Sequence, residues 1–145
     1  MRKVGKVISI LVLVCLIPLS VLAGDFDGTR PLLGATIKIF ECTEDRGCSE
    51  VALEDVGVPR FFIIDFSEKV IRPTKEMGVD KVSRIERMEQ VDGKLILQGA
   101  EDGIEGVRDG VGWTIAISET TGKLILTASG EGVAFVAYGA CTPQP

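Results

Sequence analysis

The chain of 145 residues contains no histidine, one tryptophan and one tyrosine. Without histidine the commonest general base is missing, and neither a Ser-His nor a Cys-His nucleophile pair can be assembled. A structural zinc site is also disfavoured, because the four cysteines include no C-x-x-C pair and imidazole ligands are absent. The sequence therefore predicts no catalytic residue, no metal site and no cofactor.

Carboxylates are plentiful, but they do not fall into a pattern that defines a site. Glu101, Asp102, Glu105 and Asp109 lie in the glycine-rich stretch EDGIEGVRDG, which lacks the D-x-[DN]-x-[DN]-G spacing of a calcium loop. Two carboxylates could serve a glycosidase, yet nothing in the sequence places two of them across a cleft. A carboxylate-based hydrolase is therefore ranked last, and these four residues are treated as candidate contacts for a ligand or a protein partner.

Clusters of basic residues are absent too. Lys and Arg together number 16 against 21 Asp and Glu, which gives a formal net charge of −5. Nucleic acids and anionic membranes are bound through basic patches. We therefore expect neither as a partner.

The N-terminus has the three-part pattern of a secretory signal peptide. Arg2, Lys3 and Lys6 precede the uncharged stretch VISILVLVCLIPLSVLA, which ends in the small-residue motif Val21-Leu22-Ala23. We expect residues 1–23 to be removed, which leaves one domain over residues 24–145. The loss of three basic residues takes its formal net charge from −5 to −8.

Two other fates of this N-terminal segment stay open. An uncleaved membrane anchor is one, although 17 apolar residues are short for a bilayer span of about 20. Lipidation at Cys15 is the other, and the preceding Val14 disfavours it because a lipoprotein signal has a small residue there. We expect the protein to be periplasmic or extracellular, without a stable membrane anchor after cleavage.

The remaining sequence is rich in valine, isoleucine and glycine and poor in aromatics, which favours β-structure. Short apolar segments recur about every 8 to 12 residues with turns between them, the pattern of an antiparallel barrel or sandwich. We predict an all-β fold, an antiparallel meander closing into a small barrel (or sandwich) of about seven or eight strands. The expected strands are ATIKIFEC, CSEVALE, PRFFIIDF, VIR, residues 85–91, KLILQG, GWTIAIS, KLILTAS and GVAFVAYGAC.

Alternation within these segments predicts which side chains face the core. Phe62, Ile64 and Phe66 share one face, and so do Trp113, Ile115 and Ile117. Residues 79–91 are ambiguous, because their apolar residues recur at every third position, which a helix could also use. We favour a loop followed by a strand over residues 85–91.

The pentapeptide GKLIL occurs twice, at residues 93–97 and 122–126. It could be a duplicated ligand site or a reused hairpin. Gly93 and Gly122 stand where a hairpin turn needs a positive φ, and Asp92-Gly93 is a favoured turn pair. Turn chemistry and burial explain every residue type in the repeat, so we interpret it as a reused hairpin.

Three cysteines remain after signal removal. Cys42 and Cys48 enclose the short loop TEDRG, and an oxidising compartment favours a disulfide between them over any bond to Cys141. Such a bond would add roughly 2 kcal/mol in the loop-entropy model. Cys141 is then a free thiol, either reactive or intermolecularly paired, or simply buried as a small apolar residue, which we favour.

Five stretches, FDGTRPLLGATIKIFEC, LILQG, GWTIAIS, GKLILT and FVAYGAC, resemble a family of small exported bacterial proteins of uncharacterised function. The resemblance spans nearly the whole chain after the signal peptide, but its motifs are those of a scaffold and imply no activity. The family has a cysteine where this chain has Gly34 and pairs it with the position of Cys141. The resemblance therefore implies that Cys141 is left without its partner here.

These observations predict an exported, non-catalytic binding protein of the bacterial envelope. The first hypothesis is recognition of an envelope or extracellular protein through loops such as Glu101–Val111. The alternative is a carrier that holds a small apolar ligand inside the barrel near Trp113 and Phe135, with Tyr138 a candidate at the barrel mouth. An open apolar cavity would favour the carrier, whereas a fully packed interior would exclude it.

Overall fold

The computed structural model describes residues 24–74 and 81–144, which contain strands and turns but no helix. These residues form ten strands of one antiparallel sheet, curled into a half-barrel. The all-β, antiparallel prediction is confirmed. The strands are β1 (Leu32–Thr43), β2 (Gly47–Val51), β3 (Phe61–Asp65), β4 (Val70–Pro73), β5 (Ser83–Arg84), β6 (Arg87–Val91), β7 (Lys94–Glu101), β8 (Val111–Ser118), β9 (Lys123–Ser129) and β10 (Val133–Pro143).

The strand order is β5-β4-β3-β1-β10-β9-β8-β7-β6, with β2 paired to β1 beside this path. The long strand β1 joins the two halves of the meander. Along one edge it pairs with β10 from Leu32 to Thr43; along the other it pairs first with β3 and then with β2. The first and last strands of the described sheet are therefore neighbours.

The two ends of the sheet meet on one extended segment. Strand β5 pairs with β4, and β6 pairs with β7. Between them, Ile85 N–H donates to Lys69 O at 2.9 Å, and Glu86 N–H donates to Gln98 O at 2.9 Å. The path of the sheet therefore has nine strands rather than the seven or eight predicted, because β5 and β6 are two parts of one segment that bends from one end of the sheet to the other.

Strand β1 contains a bulge at Ile37. The register against β10 shifts between Thr36 and Lys38, so that Ile37 is 64 % exposed. The extra residue lets Thr36 and Ile39, three positions apart, both point inwards, while Lys38 stays in water. Strict alternation from Leu32 would have directed Lys38 into the core.

Two buried clusters fill the concave side of the sheet. The main core contains the predicted rows Phe62-Ile64-Phe66 and Trp113-Ile115-Ile117. It also contains Leu32, Ile85, Leu95, Leu97, Leu124 and Cys141. A smaller cluster of Ile39, Leu53 and Ala137 lies beneath the loop that connects β2 to β3. The alternation of the sequence therefore identified the inward faces of β3 and β8.

Both copies of GKLIL begin the second strand of a hairpin. In the first, Asp92 and Gly93 both have positive φ (48° and 71°) and link Val91 to Lys94. In the second, Gly122 has φ 66° and its N–H donates to Ser118 O at 2.9 Å, which closes a longer turn. The hairpin interpretation and the positive φ of both glycines are confirmed.

Two sequence predictions concern residues that lie partly or wholly outside the described ranges. The signal peptide of residues 1–23 does so, as does the start of the ambiguous segment 79–91. Within that segment, β6 spans Arg87–Val91 and agrees with a strand near residues 85–91. Among the described residues, no helix has the length and apolarity to cross a membrane.

Candidate ligand cavity

One end of the curled sheet is open and contains a cavity of about 390 Å³. Its floor is the apolar inner face of the sheet, because inward-facing residues of β3, β4, β8 and β9 line it. These residues are Phe62, Ile71, Trp113, Ile115, Leu126 and Ala128. The opposite end of the sheet is filled by the main core. The interior is therefore packed at one end and hollow at the other.

Two loops and one extended segment form the rim of the cavity. Gly57, Val58 and Pro59 come from the β2–β3 loop, and Asp102–Ile104 come from the loop between β7 and β8. Thr36 fixes the first loop, since its hydroxyl donates to Pro59 O at 3.0 Å and its N–H donates to Arg60 O at 2.8 Å. Lys81 and Ser83, which precede and begin β5, complete the rim.

Glu101 brings a carboxylate to the cavity wall. It ends the inward-facing row of β7 that begins with Leu95 and Leu97, because side chains two residues apart share a face. Its side chain is 17 % exposed, and its Oε2 lies 3.3 Å from the Nζ of Lys81. The other oxygen, Oε1, is buried and has no hydrogen-bond partner among the described residues.

Trp113 lies on β8, the strand that pairs with β7. It pairs with Gly99, and a Cβ at Gly99 would overlap the Cε2 and Cζ2 atoms of the indole and the carbonyl of Arg84. Only glycine at position 99 leaves room for the ring edge that carries Nε1. That nitrogen is buried, and no described residue accepts its hydrogen bond.

Two further carboxylates line the same cavity. Asp109 holds the β7–β8 loop together, since its Oδ1 accepts a hydrogen bond from Ile104 N–H at 2.7 Å. Asp102 follows β7 directly. Three of the four acidic residues singled out from the sequence are thus brought together at the cavity, and the fourth, Glu105, lies exposed on the loop outside it.

The structure separates the aromatic candidates. Trp113 is 8 % exposed and lines the cavity. Phe135 does not line it; it packs against the smaller cluster around Ile39 and borders a separate depression. Tyr138 is 44 % exposed on the convex face, in an edge-to-face contact with Phe40 at 6.3 Å between ring centroids. Of the three, only Trp113 is positioned to contact a ligand in the cavity.

The cysteines are arranged as expected. Cys42 and Cys48 are cross-strand partners in the β1–β2 hairpin and form a disulfide. Cys141 is a free thiol buried in the main core, and this burial raises its pKa from 9.0 to about 12. A thiol with so high a pKa is not a thiolate at neutral pH, so the geometry favours the buried, apolar role over the reactive one.

Within the described ranges, no three His, Cys, Asp or Glu side chains are grouped closely enough to hold a metal ion. Of the carboxyl groups in the described part of the chain, those of Asp27, Glu54 and Asp65 have clearly shifted pKa values, and all three values are lowered by hydrogen bonds. None of these three residues lines the cavity.

Several residues of the cavity were not predicted from the sequence, chiefly Lys81 and the β2–β3 loop. A signal for the inward position of Glu101 was present in LILQGAE, where Leu95, Leu97, Gly99 and Glu101 alternate. Lys81 carries no such signal, because its approach to Glu101 depends on how the two ends of the sheet meet.

No protein-family model, curated protein or solved structure matches this chain.

Proposed function

We propose that this protein is an exported carrier that binds a small, mostly apolar ligand inside the open end of its curled sheet. The observation that carries the proposal is the cavity of about 390 Å³ walled by Phe62, Ile71, Trp113, Ile115 and Leu126. Ligand sites are concave and mainly apolar, with volumes of about 300–1,000 Å³ and a few polar groups that fix orientation. The cavity has both properties.

The single tryptophan makes this proposal directly testable. Trp113 is the only tryptophan of the chain and lines the cavity, so a bound fluorophore would quench its emission by energy transfer. The probe is N-phenyl-1-naphthylamine, an uncharged aromatic molecule whose own emission rises in apolar surroundings. We expect saturable binding at one site per chain, with a matching loss of tryptophan emission.

A matched pair of variants locates the probe. Ala128 faces the cavity beside Trp113 on the neighbouring strand, whereas Ala116 faces outwards on β8. Ala128→Phe fills the cavity and should weaken probe binding at least about tenfold, while Ala116→Phe should leave it unchanged. Circular dichroism and thermal unfolding verify that both variants fold. Absent binding to the wild type, or equal binding to both variants, would refute the carrier proposal.

Export is part of the proposal. It is supported by the signal-peptide pattern of residues 1–23 and by the Cys42–Cys48 disulfide, since such bonds persist in oxidising compartments. We also propose that the protein is related to the family of small exported bacterial proteins that its sequence resembles. Gly34 and Cys141, the two positions that the family pairs, are direct cross-strand partners. N-terminal sequencing of protein recovered from the envelope should begin at Gly24.

A second candidate function is recognition of a protein partner through the β7–β8 loop. Ile104 and Val107 on this loop are 70 % and 57 % exposed, which is unusual for apolar side chains between acidic residues. Exposed apolar residues rimmed by charge are typical of interaction sites. The same loop borders the cavity, so a partner docking there would control ligand access.

The two functions are separable by one double variant, Ile104→Ser with Val107→Ser. If the loop recognises an envelope protein, the variant loses a cross-linked complex that the wild type forms in its own envelope, while probe binding is retained. An unchanged cross-linking pattern would contradict partner recognition through this loop. Native mass spectrometry of the envelope-derived protein distinguishes a retained small molecule from a bound protein by the added mass.

A further inference from the structure

We propose that the ligand is an apolar molecule with an uncharged polar head that both donates and accepts a hydrogen bond, such as a hydroxyl group. Glu101 would accept from this head and Trp113 would donate to it. The inference rests on the proposed carrier function and adds the chemical class of the ligand. It depends on two features of the cavity, its charge and its unpaired polar atoms.

The charges around the cavity exclude an anionic head. Glu101, Asp102 and Asp109 supply three carboxylates, and Lys81 is the only cation among the described residues that line it. The Lys81 side chain is 61 % exposed and already lies 3.3 Å from Glu101. A fatty acid or a phosphorylated lipid would add negative charge to this acidic rim, and like charges brought together at a binding site oppose binding.

The unpaired polar atoms specify what the head must offer. Trp113 is more than nine-tenths buried, and its Nε1 carries a hydrogen that no described residue accepts. Glu101 Oε1 is an acceptor to which no described residue donates. Buried polar groups are paired in the great majority of native structures, so each unpaired one requires an explanation, and a bound ligand that pairs with both atoms is the one proposed for Trp113 and Glu101.

The two atoms belong to adjacent places on the inner face. Gly99, which faces the nitrogen-bearing edge of the indole, and Glu101 are successive inward positions of β7, about 6 to 7 Å apart along the strand. A head group placed between them would accept from the indole and donate to the carboxylate. Neither atom is exposed to the cavity, so binding requires a side-chain rotation, a common change on ligand binding.

Four compounds with the same ten-carbon chain and different polar head groups are expected to bind differently. An alcohol satisfies both atoms, whereas a methyl ether accepts but cannot donate. A carboxylate adds negative charge, and an ammonium donates but leaves the indole unpaired. The test uses 1-decanol, decyl methyl ether, decanoate and decylamine, each competing with N-phenyl-1-naphthylamine at pH 7. We expect decanol to bind roughly tenfold more tightly than the ether and decanoate to be the weakest.

Three variants assign the preference to Glu101. Glu101→Leu keeps an apolar wall but removes the acceptor, so decanol and the ether should bind alike while the ether is little affected. Glu101→Gln keeps an acceptor without the charge, so it should retain the preference for decanol and bind decanoate better than the wild type does. The control is Glu105→Leu on the β7–β8 loop that follows Glu101, which should change neither ratio because Glu105 does not line the cavity.

The outcomes separate this inference from the function on which it rests. If neither the probe nor any decyl compound binds, the carrier proposal fails. If all bind with equal affinity, or if Glu101→Leu keeps the preference for decanol over the ether, the carrier stands and the assignment of the head group is wrong. If decanoate binds as tightly as decanol, the argument from charge is overturned.

Discussion

At the scale of single residues, Asp65 at the end of β3 has the most hydrogen bonds of any described carboxylate. Its Oδ1 accepts from Ser67 N–H, Ser67 Oγ–H and Glu68 N–H, and its Oδ2 lies 3.1 Å from Arg72 Nη2. The hydrogen bond from the Ser67 hydroxyl is the largest contribution to a lowered pKa; Glu68 N–H and Arg72 add to it. The β3–β4 turn is therefore held by one ionised side chain.

A lowered folded-state pKa stabilises the protein at pH values above the ordinary pKa of 3.8. That contribution is lost as the pH falls below 3.8 through the folded-state value. Asp65→Asn should reduce the free energy of unfolding by about 1–3 kcal/mol at pH 7, and the difference from the wild type should shrink in the acid range. Urea unfolding between pH 2 and pH 7 measures this directly.

Two neighbouring variants test the order of causes. Ser67→Ala should raise the pKa of Asp65 more than Arg72→Gln does, because the serine hydroxyl contributes most. Carboxyl chemical shifts followed through an acid titration report that pKa. The assignment would be wrong if Arg72→Gln alone restored the ordinary value.

The environment of Gly34 on β1 is set by residues that are distant in the sequence. It is the cross-strand neighbour of Cys141, but a Cβ at this position would overlap the ring of Phe62. The phenyl ring thus occupies the space in which a side chain at position 34 would lie. A relative with a cysteine here would need a smaller residue or another rotamer at position 62.

This geometry predicts an engineered disulfide. Gly34→Cys combined with Phe62→Leu should place a thiol opposite Cys141 and oxidise with it, since directly opposed residues of antiparallel strands are within disulfide distance. The chain-entropy model gives a gain of as much as about 4 kcal/mol for so long a loop, less any strain. Thiol counting in denaturant and non-reducing peptide mapping detect the bond.

The control is Ala35→Cys, which places a thiol opposite Ala140 instead. It should leave two free thiols, and Cys141 should resist alkylation until the protein unfolds. If Gly34→Cys with Phe62→Leu also retained two free thiols under oxidising conditions, the register of β1 against β10 would be in doubt.

At the scale of elements, the two GKLIL hairpins are alike in sequence but not in surroundings. A Cβ at Gly93 would have no neighbour within 4 Å, whereas one at Gly122 would overlap Cys141 O and the ring of Phe26. The repeated glycine therefore meets one requirement in the first hairpin, a positive φ. In the second it meets two, a positive φ and close packing.

Alanine at each position should expose this difference. Gly93→Ala should lower the free energy of unfolding by about 1–2 kcal/mol, because a residue with a Cβ is strained in the left-handed conformation. Gly122→Ala should lower it by about 1–3 kcal/mol more, because the added Cβ also overpacks its surroundings. Asparagine tolerates a positive φ, so Gly93→Asn should be nearly neutral while Gly122→Asn stays costly. Equal losses of stability for the two alanine variants would contradict the packing argument.

The elements also show why sequence patterns succeed in some places and fail in others. The faces of β3 and β8, the turn Asp92-Gly93 and the Cys42–Cys48 hairpin depend on neighbours close in the chain, and all were predicted. The bulge at Ile37 was not, because it is defined by the register of β1 against β10, about a hundred residues away. Local alternation carries no information about such a pairing.

At the scale of the whole molecule, the residues that line the cavity also depend on contacts between distant parts of the chain, which local sequence patterns do not predict. The sequence identified Trp113 and the acidic loop as candidates but grouped Phe135 with Trp113, whereas the curl of the sheet assigns Phe135 to the smaller cluster. It also offered no sign of Lys81. Both depend on how far the sheet curls before its ends meet, which is a property of all the strands together.

The two ends of the sheet meet at segment 83–91, so the stability of this segment shows whether the curl is closed there. Ile85 is 6 % exposed in the main core, and the amides of Ile85 and Glu86 donate to Lys69 O, just before β4, and to Gln98 O of β7. Ile85→Ala should lower the free energy of unfolding by about 2–5 kcal/mol. Val82→Ala, at a 50 % exposed site just before β5, should lower it by less than about 0.5 kcal/mol.

In the wild type, the amides of Ile85 and Glu86 should exchange with deuterium as slowly as those in the centre of β8, because opening them requires the sheet to uncurl. Fast exchange at both amides, with β8 protected, would show that the sheet is open along this segment. The cavity, which has residues from both ends of the sheet in its wall, would then lose one side.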